Sequence, residues 1–253
     1  VAERRDAHDL IIVGAGVSGS EAALACARGG LNVLLVTTSL DTVYNLVGEA
    51  ADLTPPPGTL MAELCGGTET GTRTARVAAF ELHRRAKTAV ERHPKLHLLQ
   101  SSVSGLLARG GRVVGVSTWE GVDRFAPRVA LCAGSFLWAR LTVGDLTETA
   151  GRLSEMAYDD LYDDLLARGF TFEEVKLEAP ASRGAPPYVV ACRRFAGAEW
   201  DAETLALTRL SGLYAAGVCA VGYLPYEDAA VQGRMLAGVL LESVRETAGG
   251  AAE

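Results

Sequence analysis

The sequence has little that would take it into a membrane or hold it together covalently. Its longest apolar runs, such as "LIIV" at 10–13 and "NVLLV" at 32–36, fall far short of the ~20 residues that span a bilayer. The opening "VAERRDAHD" holds no apolar segment of signal-peptide length before the first predicted strand, so a cytoplasmic location is expected, with no membrane partner. Five cysteines, Cys26, Cys65, Cys132, Cys192 and Cys219, include no CxxC pair, which argues against a disulfide framework and against a metal site of the zinc type. There is no internal repeat and no low-complexity linker. What remains is the composition of an ordinary globular protein: 253 residues, 49% hydrophobic and 22% charged, enough for one large or two small domains.

An excess of positive charge is also missing. The formal net charge is -7, which removes general attraction to nucleic acid. The charge is unevenly spread, however. Residues 73 to 95 carry seven Lys/Arg against two Asp/Glu, and residues 145 to 178 carry three against ten. The basic strip, with Arg73, Arg76, Arg84, Arg85 and Lys87, reads either as a solvated helix face or as a local contact for RNA.

The clearest signal present is "DLIIVGAGVSGSEAALACARGGLNVLLV", which reads as strand, glycine turn, helix, strand. Gly14, Gly16 and Gly19 form a GxGxxG pattern in the setting that gives it meaning. Gly14 permits the tight turn, Gly16 lets the backbone approach a pyrophosphate at the positive end of the helix, and Gly19 lets the helix pack on the strand. The helix is rich in Ala22, Ala23, Ala25 and Cys26, and Gly29 and Gly30 end it. One further part is missing: the acidic residue that usually grips a ribose about 20 residues on is replaced by Thr37 and Thr38. That weakens an NAD reading, because a hydroxyl holds a ribose with less charge assistance than a carboxylate.

After "TPPPGT", which cannot be helix, a helical stretch is expected over 74–93, closed by Pro94, with "LHLLQ" as a third strand. "RVVGVST" and "RFAPRVALCAG" suggest antiparallel strands feeding back to the main sheet. Leu153, Ala157, Leu161 and Leu165 recur at helical spacing over 153–168, with aspartates facing outward and Gly169 as the stop. Residues 170–208 are the least legible. "GLYAAGV" is a last buried strand, and Pro225 opens a terminal helix through about residue 245. The fold class is therefore α/β: a Rossmann-like fold with a parallel central sheet and an additional small antiparallel sheet. Residues 1–253 are taken as one FAD-binding domain, with 140–210 a small substrate-side or irregular excursion within it.

The choice of FAD comes from the far end. NAD needs no second glycine-bearing turn from strand to helix, whereas FAD is long enough to use one, and "GLYAAGVCAVGYLPYEDAAVQG" supplies it. A helix starting at Pro225 and aimed at a flavin would stabilise the negative charge of its reduced form. Glu227 and Asp228 suit that helix end with or without a ligand. Between the two ends, "VALCAGSF" leads a strand into Ala133 and Gly134, small enough to pass close to a dinucleotide.

Together with "TTSLDT", "GTRTARVAAFELHRRAKTAVERHPKLHLLQSSVSGLL", "RVVGVSTWEG" and "VALCAGSFLWARLTVG", these segments resemble the glucose-inhibited division protein A family. That family contains the flavin subunit of the tRNA uridine 5-carboxymethylaminomethyl modification enzyme and has folate-dependent tRNA methyltransferase relatives. The match runs over about two-thirds of the chain. A second strand ended by threonines and followed by "LDT" is typical of the family's FAD site. The resemblance implies FAD contacts at Gly14, Ala15, Gly16, Val17, Ser18 and Gly19, at Thr37 and Thr38, and at Val103 through its backbone. It adds Ala133 and Gly134, then Gly217 and Val218, then the 226–233 helix with Tyr226 and Glu227.

Three departures qualify it. The family's cysteine-containing stretch after "LDT" is replaced by "VYNLVGEAADLTPPPG", with Gly48 near the cysteine's place; Cys65, before Gly66 and Gly67, is a substitute that no register supports. Val218 stands where a polar flavin contact is expected. Within 253 residues no room is expected for the family's inserted NADH-binding domain or its helical domain for tRNA and a GTPase partner. The implied activity is an FAD-dependent oxidoreductase, with no catalytic residue identified. The alternative is a non-catalytic FAD-binding module whose protein partner supplies the missing domains. His83, His93 and His97 are expected at the surface, and His8 precedes the first strand.

Overall fold

The computed structural model describes residues 8–66, 74–153, 155–182 and 185–249. The chain begins with β1 (Leu10–Val13), α1 (Val17–Arg28) and β2 (Val33–Thr37), every residue of both strands buried. Short, wholly apolar strands suit a parallel sheet covered on both faces. A ribbon follows, β3 (Ala50–Leu53), then α2 (Leu60–Leu64), β4 (Ala75–Ala78) and α3 (Ala79–Arg92). Next come β5 (Leu96–Gln100), β6 (Val103–Arg109), β7 (Arg112–Thr118), β8 (Asp123–Phe125) and β9 (Val129–Leu131).

The second half holds β10 (Arg140–Val143), β11 (Leu146–Glu148), β12 (Ala150–Arg152), β13 (Glu155–Met156) and α4 (Asp159–Ala167). It then forms β14 (Phe172–Ala179), β15 (Tyr188–Phe195), β16 (Leu213–Ala215), α5 (Val218–Val221) and α6 (Tyr226–Gly249). The central sheet has the order β16-β9-β1-β2-β5 and is parallel throughout. An antiparallel four-stranded sheet, β11-β10-β15-β14, and the three-stranded β6-β7-β8 lie outside it. The expected α/β fold with a parallel core is present, with more antiparallel structure than one small sheet.

The two-residue period of the strands divides the core between the sheet's faces. Leu10, Ile12, Val33 and Leu35 pack with the residues of α1, α3 and α6. Ile11, Val13, Leu34 and Val36 pack on the other side with β6, β7 and α4. On the first face α1 and α6 cross with their backbones nearly touching: a Cβ at Gly233 would lie 2.4 Å from the Ser18 carbonyl oxygen and 2.6 Å from Glu21 Cβ. The Ser18 hydroxyl donates to the Ala229 carbonyl at 2.9 Å across the same contact.

Several expectations change. The helix expected over 74–93 begins at Ala79, because Ala75–Ala78 pairs antiparallel with Ala50–Leu53. The helix expected over 153–168 begins at Asp159; Glu155–Met156 is extended and pairs with Ala150 and Arg152. Leu161 and Leu165 are buried as their spacing requires, and Gly169 ends the turn with φ +88. Its aspartates do not all face water: Asp164 accepts the Leu106 amide at 2.9 Å and pairs with Arg168 at 2.8 Å. The illegible 170–208 contains an eight-rung antiparallel hairpin of β14 and β15. Pro225 stands just outside α6 and accepts the Ala229 amide at 2.9 Å, and the helix runs on to Gly249. Among the described residues no helix is long and apolar enough to cross a membrane.

Candidate functional site

The C-terminal ends of β1, β9 and β16 open on one cleft of about 450 Å³. Three glycines of the first turn shape it in different ways. Gly14 has φ +105, and a Cβ there would lie 2.1 Å from the Cys132 carbonyl oxygen at the end of β9. A Cβ at Gly19 would fall 1.9 Å from the Gly14 oxygen, so this glycine lets α1 lie against its own strand. Gly16 is the opposite case: its backbone (φ -65, ψ -169) suits any residue, and no atom lies within 4 Å of where a Cβ would stand. Packing therefore does not require glycine at 16; open space in the cleft surrounds it.

Gly16 caps α1 with no side-chain hydrogen bond, so the first amides of that helix have no side-chain cap to compete with an anion at its positive end. Gly134 and Gly217, with φ +58 and +81, form two more bends in the wall. The Gly217 amide donates to Gln232 Oε1 at 2.5 Å, so this residue offers its bare Cα rather than its N–H. Val17, Ser18, Val218 and Tyr226 also face the cleft.

The remaining expected residues are placed differently. Ala15 and Ala133 are buried behind the wall. Thr37 is buried and its hydroxyl donates to the Ser39 carbonyl at 3.1 Å. Thr38 is hydrogen-bonded through backbone and side chain to the Tyr158 phenol, which burial pushes up to about 12 against those bonds. Val103 is fully buried at the start of β6, and the Ser101 amide joins this corner to β2 by donating to the Thr37 carbonyl at 2.9 Å. Thr37, Thr38 and Val103 thus form a corner of their own, away from the cleft wall. Glu227 turns away too: its Oε1 accepts the Thr54 amide at 3.0 Å.

Residues that sequence reasoning did not single out close the cleft. Asn45 and Val47 come from the loop after β2, Phe136 from the turn after β9, Arg152 from β12, and Tyr188 from β15. The loop is held by distant anchors. Tyr44, at φ +56, donates to buried Glu21 at 2.6 Å, and the Tyr226 phenol accepts the Val47 amide at 2.7 Å. Glu21 also accepts the Leu60 and Met61 amides at 2.7 and 2.8 Å, the start of α2. Burial raises the Glu21 carboxyl above the ordinary range, with the Tyr44 and amide bonds acting against it.

Among the described residues no thiolate is available at the wall. Cys132 borders the cleft, but burial lifts its thiol well above the ordinary value, and Cys219 nearby is pushed up to about 11. Cys65 is half-buried and does not reach the cleft; burial raises it, with Arg85 lowering and Glu227 raising it further. His83 is not a free surface group, since its Nδ1 lies 2.6 Å from the Val43 carbonyl. The basic strip is largely spent locally: Arg76 pairs with Asp52 at 3.1 Å, and Arg84 and Arg85 with Glu81 at 2.8 and 2.7 Å. Arg73 and Gly67 lie outside the described residues.

A parallel sheet with glycine turns at three strand ends, opening on one cleft, defines a Rossmann-like dinucleotide-binding protein of the flavoprotein kind. The profile of the family described as "Glucose inhibited division protein A" matches residues 9–67 and 66–182. The chain belongs to that family, and FAD is the cofactor that family and fold indicate. The tRNA uridine 5-carboxymethylaminomethyl modification enzyme MnmG of Chlamydia trachomatis serovar A is 32% identical over 197 residues, 69% of this chain and 32% of the relative. The chain thus spans about a third of the length of the curated relatives it matches. The GidA-related protein from Thermus thermophilus is 40% identical, with TM-score 0.82 over 93% of this chain and 99% of that one. Aquifex aeolicus GidA, at 18% identity and TM-score 0.84, covers 96% of this chain and 64% of its own, and shows the fold alone.

Proposed function

We propose that residues 1–253 form one unit that holds FAD across the strand ends and works as a redox flavoprotein. The single observation that carries this is Gly16, a glycine kept where packing leaves room for a side chain, at the uncapped start of α1. The amides of Val17 and Ser18 would meet the diphosphate. The corner of Thr37, Thr38 and Val103 would meet the adenosine, and Ala133, Gly134, Gly217, Val218 and Tyr226 the flavin half. Gly14, Ala15 and Gly19 shape the turn, and Glu227 secures the neighbouring loop. When bound, the flavin supplies the electron-transfer chemistry. The chain binds and orients it, and the hairpin of β14 and β15 excludes water from one side.

The substrate is taken to enter from the 140–210 excursion. The test is a visible spectrum of the purified protein, mass identification of what it releases on denaturation, and titration with NADH or NADPH under nitrogen. Flavin bleaching followed by reoxidation in air supports an oxidoreductase, and a colourless protein that takes up no FAD refutes the reading.

A second reading, an FAD module that works with a protein partner, draws on the lack of an available thiolate among the described residues of the wall. Inertness of bound flavin toward both pyridine nucleotides would favour it. A tRNA role, carried by the name of those relatives, predicts binding that weakens steeply with salt and on reversing Arg84 and Arg85. Their pairing with Glu81 works against it.

A further inference from the structure

Arg152 stands out among residues to which the dinucleotide reading gives no task. It lines the main cleft and also a second cavity of about 260 Å³ beside it; Val47, Pro180 and Tyr188 border both as well. Its side chain is only 18% exposed. A guanidinium has five N–H donors and cannot shed its charge. One donates to the Asn45 carbonyl at 3.3 Å and another to the Leu46 carbonyl. Tyr188 stands beside it where the two cavities meet. Both acceptors are neutral.

Among the described residues the one carboxylate paired with it is Glu155, whose Oε1 lies 3.8 Å from Nε, beyond hydrogen-bond reach, and whose Oε2 is buried without a hydrogen-bond partner. Burial raises the Glu155 carboxyl, with Arg152 acting in the opposite sense. Glu49 borders the side cavity but is exposed to water. A desolvated cation that is under-paired and has donors left over is costly unless an anion completes it.

We propose that Arg152, with Tyr188 beside it, is the anion-recognising group of the cleft, receiving a planar carboxylate or a phosphate oxygen where the two cavities meet. The inference rests on the cleft being a ligand site and names the chemistry of what it takes. The anion could belong to the cofactor's diphosphate or to a small acid reaching the cleft through the side cavity.

The variants are Arg152→Gln, which retains an amide donor for the Leu46 carbonyl but no charge, and Arg152→Lys, which retains charge but no planar fork. Each is checked for folding by thermal melting. Two arms separate the sources: affinity of the apo-protein for FAD by fluorescence quenching, and calorimetric titration with malonate, with and without FAD. Loss of at least about tenfold in FAD affinity in Arg152→Gln assigns the cation to the diphosphate, and the same loss confined to malonate assigns it to a small acid. Arg152→Lys is expected to fall between; should the Gln variant not fold, the Lys variant carries the same comparison. If the variants change neither affinity by more than about twofold, or if the wild-type protein binds neither FAD nor malonate, the proposal is overturned. Failure to bind FAD alone sinks the cofactor reading and leaves the malonate arm decisive here.

Discussion

Gly16 and Gly19 belong to one motif, and the structure assigns their substitution opposite consequences. At Gly19 an added Cβ lies 1.9 Å from the Gly14 oxygen, 3.0 Å from its carbonyl carbon and 3.2 Å from Cys132 Cβ. The first two are backbone atoms between a strand and its own helix, so no rotamer change relieves the clash. Gly19→Ala should therefore cost at least the ~1–3 kcal/mol of ordinary overpacking. At ~2–4 °C per kcal/mol for a chain of this size, the melting temperature should fall by roughly 5–10 °C.

At Gly16 nothing lies within 4 Å and φ is -65. Replacing glycine there reduces unfolded-state freedom by about 0.4–1 kcal/mol, which offsets a similar loss from a poorer helix cap. Gly16→Val should thus melt within about 1 kcal/mol of wild type while losing FAD affinity by at least ~100-fold, or ~2.7 kcal/mol, because the side chain occupies the space proposed for the diphosphate. The assay is paired: thermal melting of the apo-proteins and fluorescence titration with FAD. A Gly16→Val protein that holds FAD as tightly as wild type, or a Gly19→Ala protein as stable as wild type, would refute the division of roles.

Three further outcomes are expected. Glu21→Ala leaves the Leu60 and Met61 amides and the Tyr44 hydroxyl without their buried acceptor, and should cost about 3 kcal/mol in urea unfolding. Glu21 and Glu199 should also act oppositely on the pH dependence of stability. Because the folded-state pKa of Glu21 is raised, its contribution is present below the unfolded carboxyl value and fades as pH rises through the folded one; Glu21→Gln removes that slope. Glu199 is lowered, chiefly by its hydrogen bonds from Arg209, so its contribution is present above the unfolded value and fades as pH falls; Glu199→Gln should flatten the acid limb, and equal slopes in variant and wild type would count against the pairing. Cys132→Ser should retain FAD, since Cys132 is a packing residue with a protonated thiol, and complete loss of flavin would assign it a contact.

What the sequence showed of the fold followed from how local the deciding forces are. β1, α1 and β2 were legible because apolar run, glycine turn and small-residue helix are all visible within thirty residues, and the period of two then divided their side chains between the sheet's faces. The β14–β15 hairpin was not, because "FEEVKLEA" and "YVVACRRF" alternate only weakly and their pairing spans a Pro-rich stretch. Ala75–Ala78 read as helix because alanine favours it, and only the partner strand at Ala50–Leu53, far away in sequence, overrides that preference. At the site, the glycines carried a readable signal. Arg152 and Tyr188 did not, since an arginine and a tyrosine in an antiparallel region look like any surface pair until the fold brings them to the cleft.

The loop after β2 is held by parts of the chain far from it in sequence. No regular structure covers residues 43–47, yet backbone or side chain is tied at every position. Val43 is tied to His83 on α3, Tyr44 to Glu21 on α1, Asn45 and Leu46 to Arg152 on β12, and Val47 to Tyr226 on α6. Four elements distant in sequence thus fix one segment at the mouth of the cleft, and Tyr44 accepts a left-handed backbone to meet its partner. These ties assign the loop the work of shaping and closing the cleft.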